Sequence, residues 1–239
     1  MNPRDARFEI KYLLGRDEAQ RVLDAASHWM RFDAHAGPGG RYLVHSLYFD
    51  TLDFESCREV YDGQITKTKF RLRRYGSDRR CFFEVKSRYN RSVAKTREEA
   101  DPETAASFVE DPFGRPLPGP CAVFAERLAR RPRSAVVALS YDRIALEDIL
   151  GSDLRLTLDF DLRCGPPEMF ARGPDIESPR ALPPGAAVLE LKFSSKIPRW
   201  TARLTRELEL TPRDCSKYVR SVHRWIGQEP PITEIDSNG

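Results

Sequence analysis

No stretch of this chain approaches the roughly 20 consecutive apolar residues of a membrane-spanning helix, and Met1-Asn2-Pro3-Arg4-Asp5 lacks the apolar run of a signal peptide. The expected setting is cytoplasmic. Cysteine is sparse: Cys57, Cys81, Cys121, Cys164 and Cys215 are odd in number and scattered, with no Cys-x-x-Cys pair. That excludes a disulfide framework or zinc ribbon and reads as reduced, structural thiols. Phosphate loops are missing too, with neither Gly-x-x-x-x-Gly-Lys-Ser/Thr nor Gly-x-Gly-x-x-Gly, and no Gly-x-Ser-x-Gly elbow marks a hydrolase. His28, His35, His45 and His223 show no metal-ligand spacing and read as structural or exposed. A dominant charge sign is absent as well: 39 basic residues face 36 acidic ones, a net charge of +3. With most of the 13 Phe and 8 Tyr embedded in strand patterns, no nucleic-acid partner is expected.

What is present is a chain of 239 residues, 40% hydrophobic, long enough for one large domain with a substantial core. Residues 1–226 read as that domain and 227–239 as a polar C-terminal tail. Strand patterns of period two dominate: Arg7 to Leu13, Tyr42 to Phe49, Thr66 to Tyr75, Arg80 to Arg88, Asn90 to Glu99, Ala135 to Ile144, Leu154 to Leu162 and Val188 to Phe193. Gly76-Ser77-Asp78 makes a β-hairpin of the third and fourth. Asp17, followed by Gln20, reads as the N-cap of a helix running through Phe32, with Val22, Ala25, Ala26, Trp29 and Met30 inward. Helical patterning returns between Asp101 and Arg133. Thr211 as N-cap, Pro212 and Asp214 open a C-terminal helix that buries Tyr218, Val222 and Trp225 and turns Lys217, Arg220 and Arg224 to a basic face. The Pro- and Gly-rich stretch from Arg163 to Ala187 reads as a long loop of the kind that forms a lid or stays disordered.

The strands share one peculiarity. Lys69-Phe70-Arg71-Leu72-Arg73 sets three cations on one face within roughly 13 Å, at about 3.3 Å per residue. A single such strand is most simply the wet face of an antiparallel sheet. Repetition points elsewhere: Lys11, Lys86, Lys95 and Arg97, then Arg143, Arg155 and Lys192, each keep one parity within their own strands. If the apolar faces pack outward against helices, the charged faces line an interior, and a β-barrel with a polar lumen meets both demands. The expected class is α+β, an antiparallel β-barrel tunnel flanked by helices. Glu9, Glu84, Asp159, Asp161 and Glu190 share the charged faces. Some must pair with the cations; others suit a hard divalent ion such as Mg²⁺ or Mn²⁺, which bridges readily to phosphate.

Read in order, Arg7-Phe8-Glu9-Ile10-Lys11-Tyr12, Ser46-Leu47-Tyr48-Phe49-Asp50-Thr51, Lys69-Phe70-Arg71-Leu72-Arg73, Phe83-Glu84-Val85-Lys86, Tyr141-Asp142-Arg143, Leu189-Glu190-Leu191-Lys192-Phe193 and Ser216-Lys217-Tyr218 form a distinctive series. From about residue 7 to 225 the chain resembles the polyphosphate polymerase domain of the vacuolar transporter chaperone (VTC) complex, a member of the triphosphate tunnel metalloenzymes alongside the CYTH-type proteins. The resemblance implies a tunnel that grips triphosphate or polyphosphate and transfers the ATP γ-phosphoryl group to a growing polyphosphate chain with Mn²⁺ or Mg²⁺. Lys11, Arg71, Arg73, Lys86, Arg143 and Glu190 are the implied catalytic set. Lys95, Tyr141, Lys192 and Lys217 join in binding phosphate, with Arg155 and Asp159 as second choices. Glu190 is the implied principal metal ligand, and Glu9 and Glu84 are further ligands or pairing partners.

The partners so implied are ATP and inorganic polyphosphate. The phosphate-sensing SPX domain and the membrane-spanning region of the eukaryotic form are not in this sequence, so membrane association would need a separate membrane protein, which nothing in the sequence shows. Two alternatives stay open: a metal-dependent triphosphatase acting on inorganic or nucleoside triphosphates, with water as acceptor, and a noncatalytic polyphosphate-binding module. Reversing the charge of Arg71 is expected to abolish triphosphate binding while leaving the fold largely intact.

Overall fold

The computed structural model describes residues 8–76, 78, 80–89, 92–112, 114, 121–194 and 196–227. Residues 228–239 of the expected tail and 1–7 at the start of the expected domain lie outside them. Among the described residues nine strands form one antiparallel sheet: β1 (Phe8–Leu14), β2 (Met30–Phe32), β3 (Arg41–Asp50), β4 (Thr66–Tyr75), β5 (Cys81–Tyr89), β6 (Ser92–Ala100), β7 (Ser134–Asp148), β8 (Arg155–Gly165) and β9 (Ala187–Phe193). Eight follow the order β1-β9-β8-β7-β3-β4-β5-β6, and β2 pairs separately with β7. The sheet curls into a half-barrel tunnel. Although β1 and β5 are far apart in strand order, Lys86 on β5 reaches Glu9 on β1 at 3.0 Å.

Period-two alternation gives this sheet two chemically distinct faces. The convex face is apolar and carries helices at two places. Leu47, Phe49, Phe70, Leu72 and Phe83 pack beneath α3 (Pro102–Glu110), α4 (Cys121–Ala129) and the short α5 (Met169–Arg172). Leu146, Leu156, Leu158, Leu189 and Leu191 pack beneath α1 (Arg16–Ala26) and α6 (Arg199–Glu207). The concave face is charged over part of its length and apolar over the rest. There Val44, Tyr48, Leu139, Tyr141 and Val188 receive Tyr218, Val219 and Val222 of α7 (Lys217–Trp225), beside Cys57 of α2 (Glu55–Tyr61). No helix among the described residues is long and apolar enough to cross a membrane.

Several sequence expectations shift once long-range pairing is visible. The first helix stops at Ala26 because Met30–Phe32 is drawn into the ladder with Leu146–Asp148, and Trp29 stays exposed, stacked 6.4 Å from Trp200. Its cap is Gly15, whose N–H donates to Glu18 at 2.7 Å, rather than Asp17. The C-terminal helix begins at Ser216, not Thr211, because Arg213 N–H donates to the Lys11 carbonyl along β1 and keeps that segment extended. On that helix Arg220 is buried and Trp225 is exposed, the reverse of the expected faces.

The Arg163–Ala187 stretch is neither lid nor free loop. Cys164 N–H donates to Pro179, Ala181 N–H donates to Leu162, and Ala181 and Leu182 are buried. A bulge in β8 opposite Tyr141 puts Asp161 at φ 43° and moves it out of the lumen, onto Arg163 and Arg180.

Phe124 of α4 meets Phe49, Phe70, Phe83 and Phe108 with ring centroids 4.9–5.7 Å apart. Phe124→Ala is expected to cost about 3–5 kcal/mol, read as a lower urea midpoint at unchanged slope.

Candidate functional site

Strand register turns the charged parity into rows across the concave face. Lys69, Lys86 and Lys95 stand directly opposite one another on β4, β5 and β6. Like charges in such cross-strand pairs repel. The next row sets Tyr48, Arg71, Glu84 and Arg97 side by side. Across the trough, Lys11 opposes Glu190 and Glu9 opposes Lys192.

Glu84 is fully buried and is the counter-ion of the first wall. Its Oε2 lies 2.6 Å from Arg71 and 3.9 Å from Arg73, and its Oε1 lies 2.6 Å from Lys95 and 3.7 Å from Arg97. Burial opposes its ionisation, but Arg71, Arg73 and Lys95 outweigh burial and hold the carboxyl well below the usual range. Arg71 also donates to Tyr48 Oη at 3.1 Å, and Arg73 donates to Ser46 Oγ at 3.1 Å and Tyr141 Oη at 3.3 Å. Burial raises the Tyr48 phenol; Arg71, Arg73 and Lys69 overcome it and bring the pKa to about 8.

The opposite wall is organised by three carboxylates. Asp159 receives a two-pronged bond from Arg143, 2.6 and 2.8 Å, and lies 2.6 Å from Lys217. Glu190 pairs with Lys217 at 2.7 Å and Lys192 at 2.5 Å. Glu9 pairs with Lys11 and Lys86, each at 3.0 Å. All three carboxylates are held below their ordinary pKa, against burial, by these ammonium and guanidinium groups.

Lys69 differs from its neighbours. Its Nζ donates to Ser216 Oγ at 2.9 Å, at the N-terminus of α7, and among the described residues no carboxylate pairs with it. Burial, then the nearby Lys11 charge, bring its pKa down to about 8.

The expected residues Lys11, Arg71, Arg73, Lys86, Lys95, Tyr141, Arg143, Lys192, Lys217, Glu9, Glu84, Asp159 and Glu190 thus converge on one trough. Arg155 stands opposite Lys192 in the ladder, but its half-exposed guanidinium turns to Glu147 at 3.3 Å and Asp33 at 3.5 Å. Tyr48 and Ser216, which stand in the motif series without an assigned role, also belong to the site; the shared parity of Ser46 and Tyr48 is the available signal for the first. Because Arg71 pairs with the fully buried Glu84, reversing its charge would set two carboxylates together and disturb folding as well as binding, contrary to the expectation of an intact fold.

For a divalent ion, Glu84 does not fit, since it has no exposure to solvent and four cations stand within 3.9 Å of it. Glu190 and Glu9 fit better: each pairs with two cations rather than four, neither is wholly buried, and they are close enough to influence one another's charge. Among the described residues no cluster of three His, Cys, Asp or Glu could enclose a metal.

A family model described as the VTC domain matches residues 6–226. Among solved structures, a Bacillus halodurans protein provisionally assigned as an adenylate cyclase is similar at TM-score 0.52 and 14% identity, covering 98% of this chain and 96% of that one. The PH1819 protein of Pyrococcus horikoshii OT3 is similar at TM-score 0.48 and 11% identity, covering 90% of this chain and 94% of that one. At such identities the first likeness concerns the fold alone. No curated protein matches the chain.

A bound polyanion would favour the charged form of Lys69 and the neutral form of Tyr48, so both pKa values would rise from about 8. Binding of ATP, whose phosphates are fully ionised at about pH 8.5, is therefore expected to take up about one proton. Calorimetry in buffers of different protonation enthalpy measures this, and proton release would contradict the electrostatics described.

Proposed function

This chain belongs to the VTC domain family, and on that premise we propose that it is a metal-dependent polyphosphate polymerase moving the ATP γ-phosphoryl group onto an inorganic polyphosphate chain. One observation carries this reading over simple triphosphate binding: the cationic lining runs unbroken from the arginines to the lysines of both walls. Arg71, Arg73 and Arg143 stand around the Tyr48 and Tyr141 phenols, while Lys11 and Lys86 stand around Glu9 with Lys192 nearby. A lining of that extent can hold two polyanions, donor and acceptor, together; hydrolysis needs only one.

In this reading the guanidinium wall orients the donor triphosphate, and the lysines bring the terminal phosphate of the acceptor into line. Positioning and charge stabilisation account for most of phosphoryl-transfer catalysis. Pre-formed cations, already pinned by Glu84, Asp159 and Glu9, need little reorganisation as charge develops on the leaving oxygen. Glu190, assisted by Glu9, would hold Mn²⁺ or Mg²⁺, which supplies Lewis-acid neutralisation of the phosphates. An acceptor phosphate oxygen is already ionised and needs no protein base. The four trough carboxylates, with their lowered pKa values, would be weak ones.

Triphosphate hydrolysis has one observation in its favour: Lys69 and Tyr48, both near pKa 8, could accept a proton from water. Incubation with ATP and Mn²⁺ separates the readings. Chains that lengthen on a gel are expected; orthophosphate as the sole product would mean a triphosphatase, and binding without turnover a noncatalytic module. Glu190→Ala is expected to lower turnover by at least about a hundredfold while much of the polyphosphate affinity remains. Equal loss of both would place Glu190 in folding rather than chemistry.

A further inference from the structure

We infer that the rim of the trough carries a base-binding platform, in which His35 and Tyr75 stack the planar base of a nucleoside triphosphate whose phosphates lie on Arg73 and Arg71. This rests on the proposed triphosphate site and supplies what its cations cannot, namely recognition of the uncharged half of the donor.

The platform is built from separate parts of the chain. The His35 ring lies nearly parallel to Tyr75, 5.9 Å between centroids at 10°, and meets Tyr42 edge-on at 6.2 Å. Tyr75 in turn meets Phe82 edge-on at 5.8 Å. Arg97 completes the group, its guanidinium 3.8 Å from the Phe82 centroid and 5.2 Å from that of Tyr75.

The segment bearing His35 is held in place. Asp33 accepts from the His35 N–H and from the Tyr42 hydroxyl, each at 3.1 Å, and its own N–H donates to Ala145 on β7. Yet His35 itself is exposed and Tyr75 only half-buried. Pre-positioned aromatic rings left open to water, with a guanidinium among them, suit a flat π-system: stacking works on any base, and Arg adds a cation–π contact.

Position along β4 connects the platform to the phosphate site. The Arg73 guanidinium lies 5.9 Å from the Tyr75 centroid and also donates to Tyr141 in the trough. Beyond it on the same face come Arg71 and then Lys69, which touches the N-terminus of α7. A nucleotide with its base on Tyr75 and His35 therefore directs its γ-phosphate inward, toward Lys69, and leaves its base at the rim. The chemistry recognised is that of an aromatic base joined to a triphosphate, whereas inorganic tripolyphosphate uses the cations alone.

Binding of ATP and of inorganic tripolyphosphate to the full chain, measured by calorimetry for wild type, His35→Ala, Tyr75→Leu and Tyr75→Phe, tests the assignment. His35→Ala and Tyr75→Leu are expected to weaken ATP by about tenfold and leave tripolyphosphate unchanged, while Tyr75→Phe keeps the ring and the ATP affinity. Equal weakening of both ligands, or unchanged ATP affinity in His35→Ala, overturns the platform. A wild type that binds tripolyphosphate under the second outcome leaves the phosphate site standing; one that binds neither ligand removes both readings. Should Tyr75→Leu fail to fold, exposed His35 decides alone.

Discussion

Repulsion among like charges is the constraint on which the rest of this structure turns. A row of lysines set directly opposite one another, beside a row of arginines, is unfavourable in a sheet unless counter-ions hold it. Glu84 does this on one wall, with Arg71, Arg73, Lys95 and Arg97 gathered around a carboxylate that has no exposure to solvent. Asp159, Glu190 and Glu9 do it on the other. The carboxylates are too few to neutralise the cations, and Lys69 is left without an acidic partner among the described residues. The resulting trough is rigid in its pairs and still strongly attractive to a polyanion.

The apolar architecture exists to sustain that trough. Because alternation sends every second side chain to the convex face, α3 and α4 can cover one flank and α1 and α6 another without touching the charges. The seventh helix is different, since it enters the concave side. Its N-cap Ser216 and first residue Lys217 reach the charged rows while Tyr218 and Val222 fill the apolar part behind them. An N-terminal helix end there adds positive potential to a region already short of negative charge. The tyrosines Tyr48 and Tyr141 mediate between the two zones, with rings in the apolar cluster and hydroxyls on the arginines.

How much of this could be read from sequence depended on the range of the interaction. Strand parity is local, so Lys69, Arg71 and Arg73 could be assigned to one face, and Glu190 with Lys192 to another. Helix ends were less legible because pairing decided them: Met30–Phe32 left a helical pattern to join β7, and the backbone around Arg213 stayed extended along β1. Asp161 was misplaced for a similar reason, since one extra residue in β8 reverses the parity that alternation would assign. His35 has no pattern to mark it, whereas Tyr75 shares the parity of Lys69, Arg71 and Arg73 along β4. Their meeting depends on the Asp33 contacts with Tyr42 and β7.

By itself the sequence determined the two-faced strands, the cationic surplus of their polar faces and the ordered series of short motifs that resembles the VTC domain. Those are properties of neighbouring residues, set by the two-residue period of an extended chain. Only the tertiary structure decided which charges meet. Curling brings Lys86 to Glu9 and Lys217 to both Asp159 and Glu190, across separations in sequence that no periodicity encodes. It also made Glu84 a buried counter-ion and set Lys69 on the Ser216 hydroxyl with no carboxylate paired to it among the described residues, because the balance of burial against nearby charge exists only after the walls face each other.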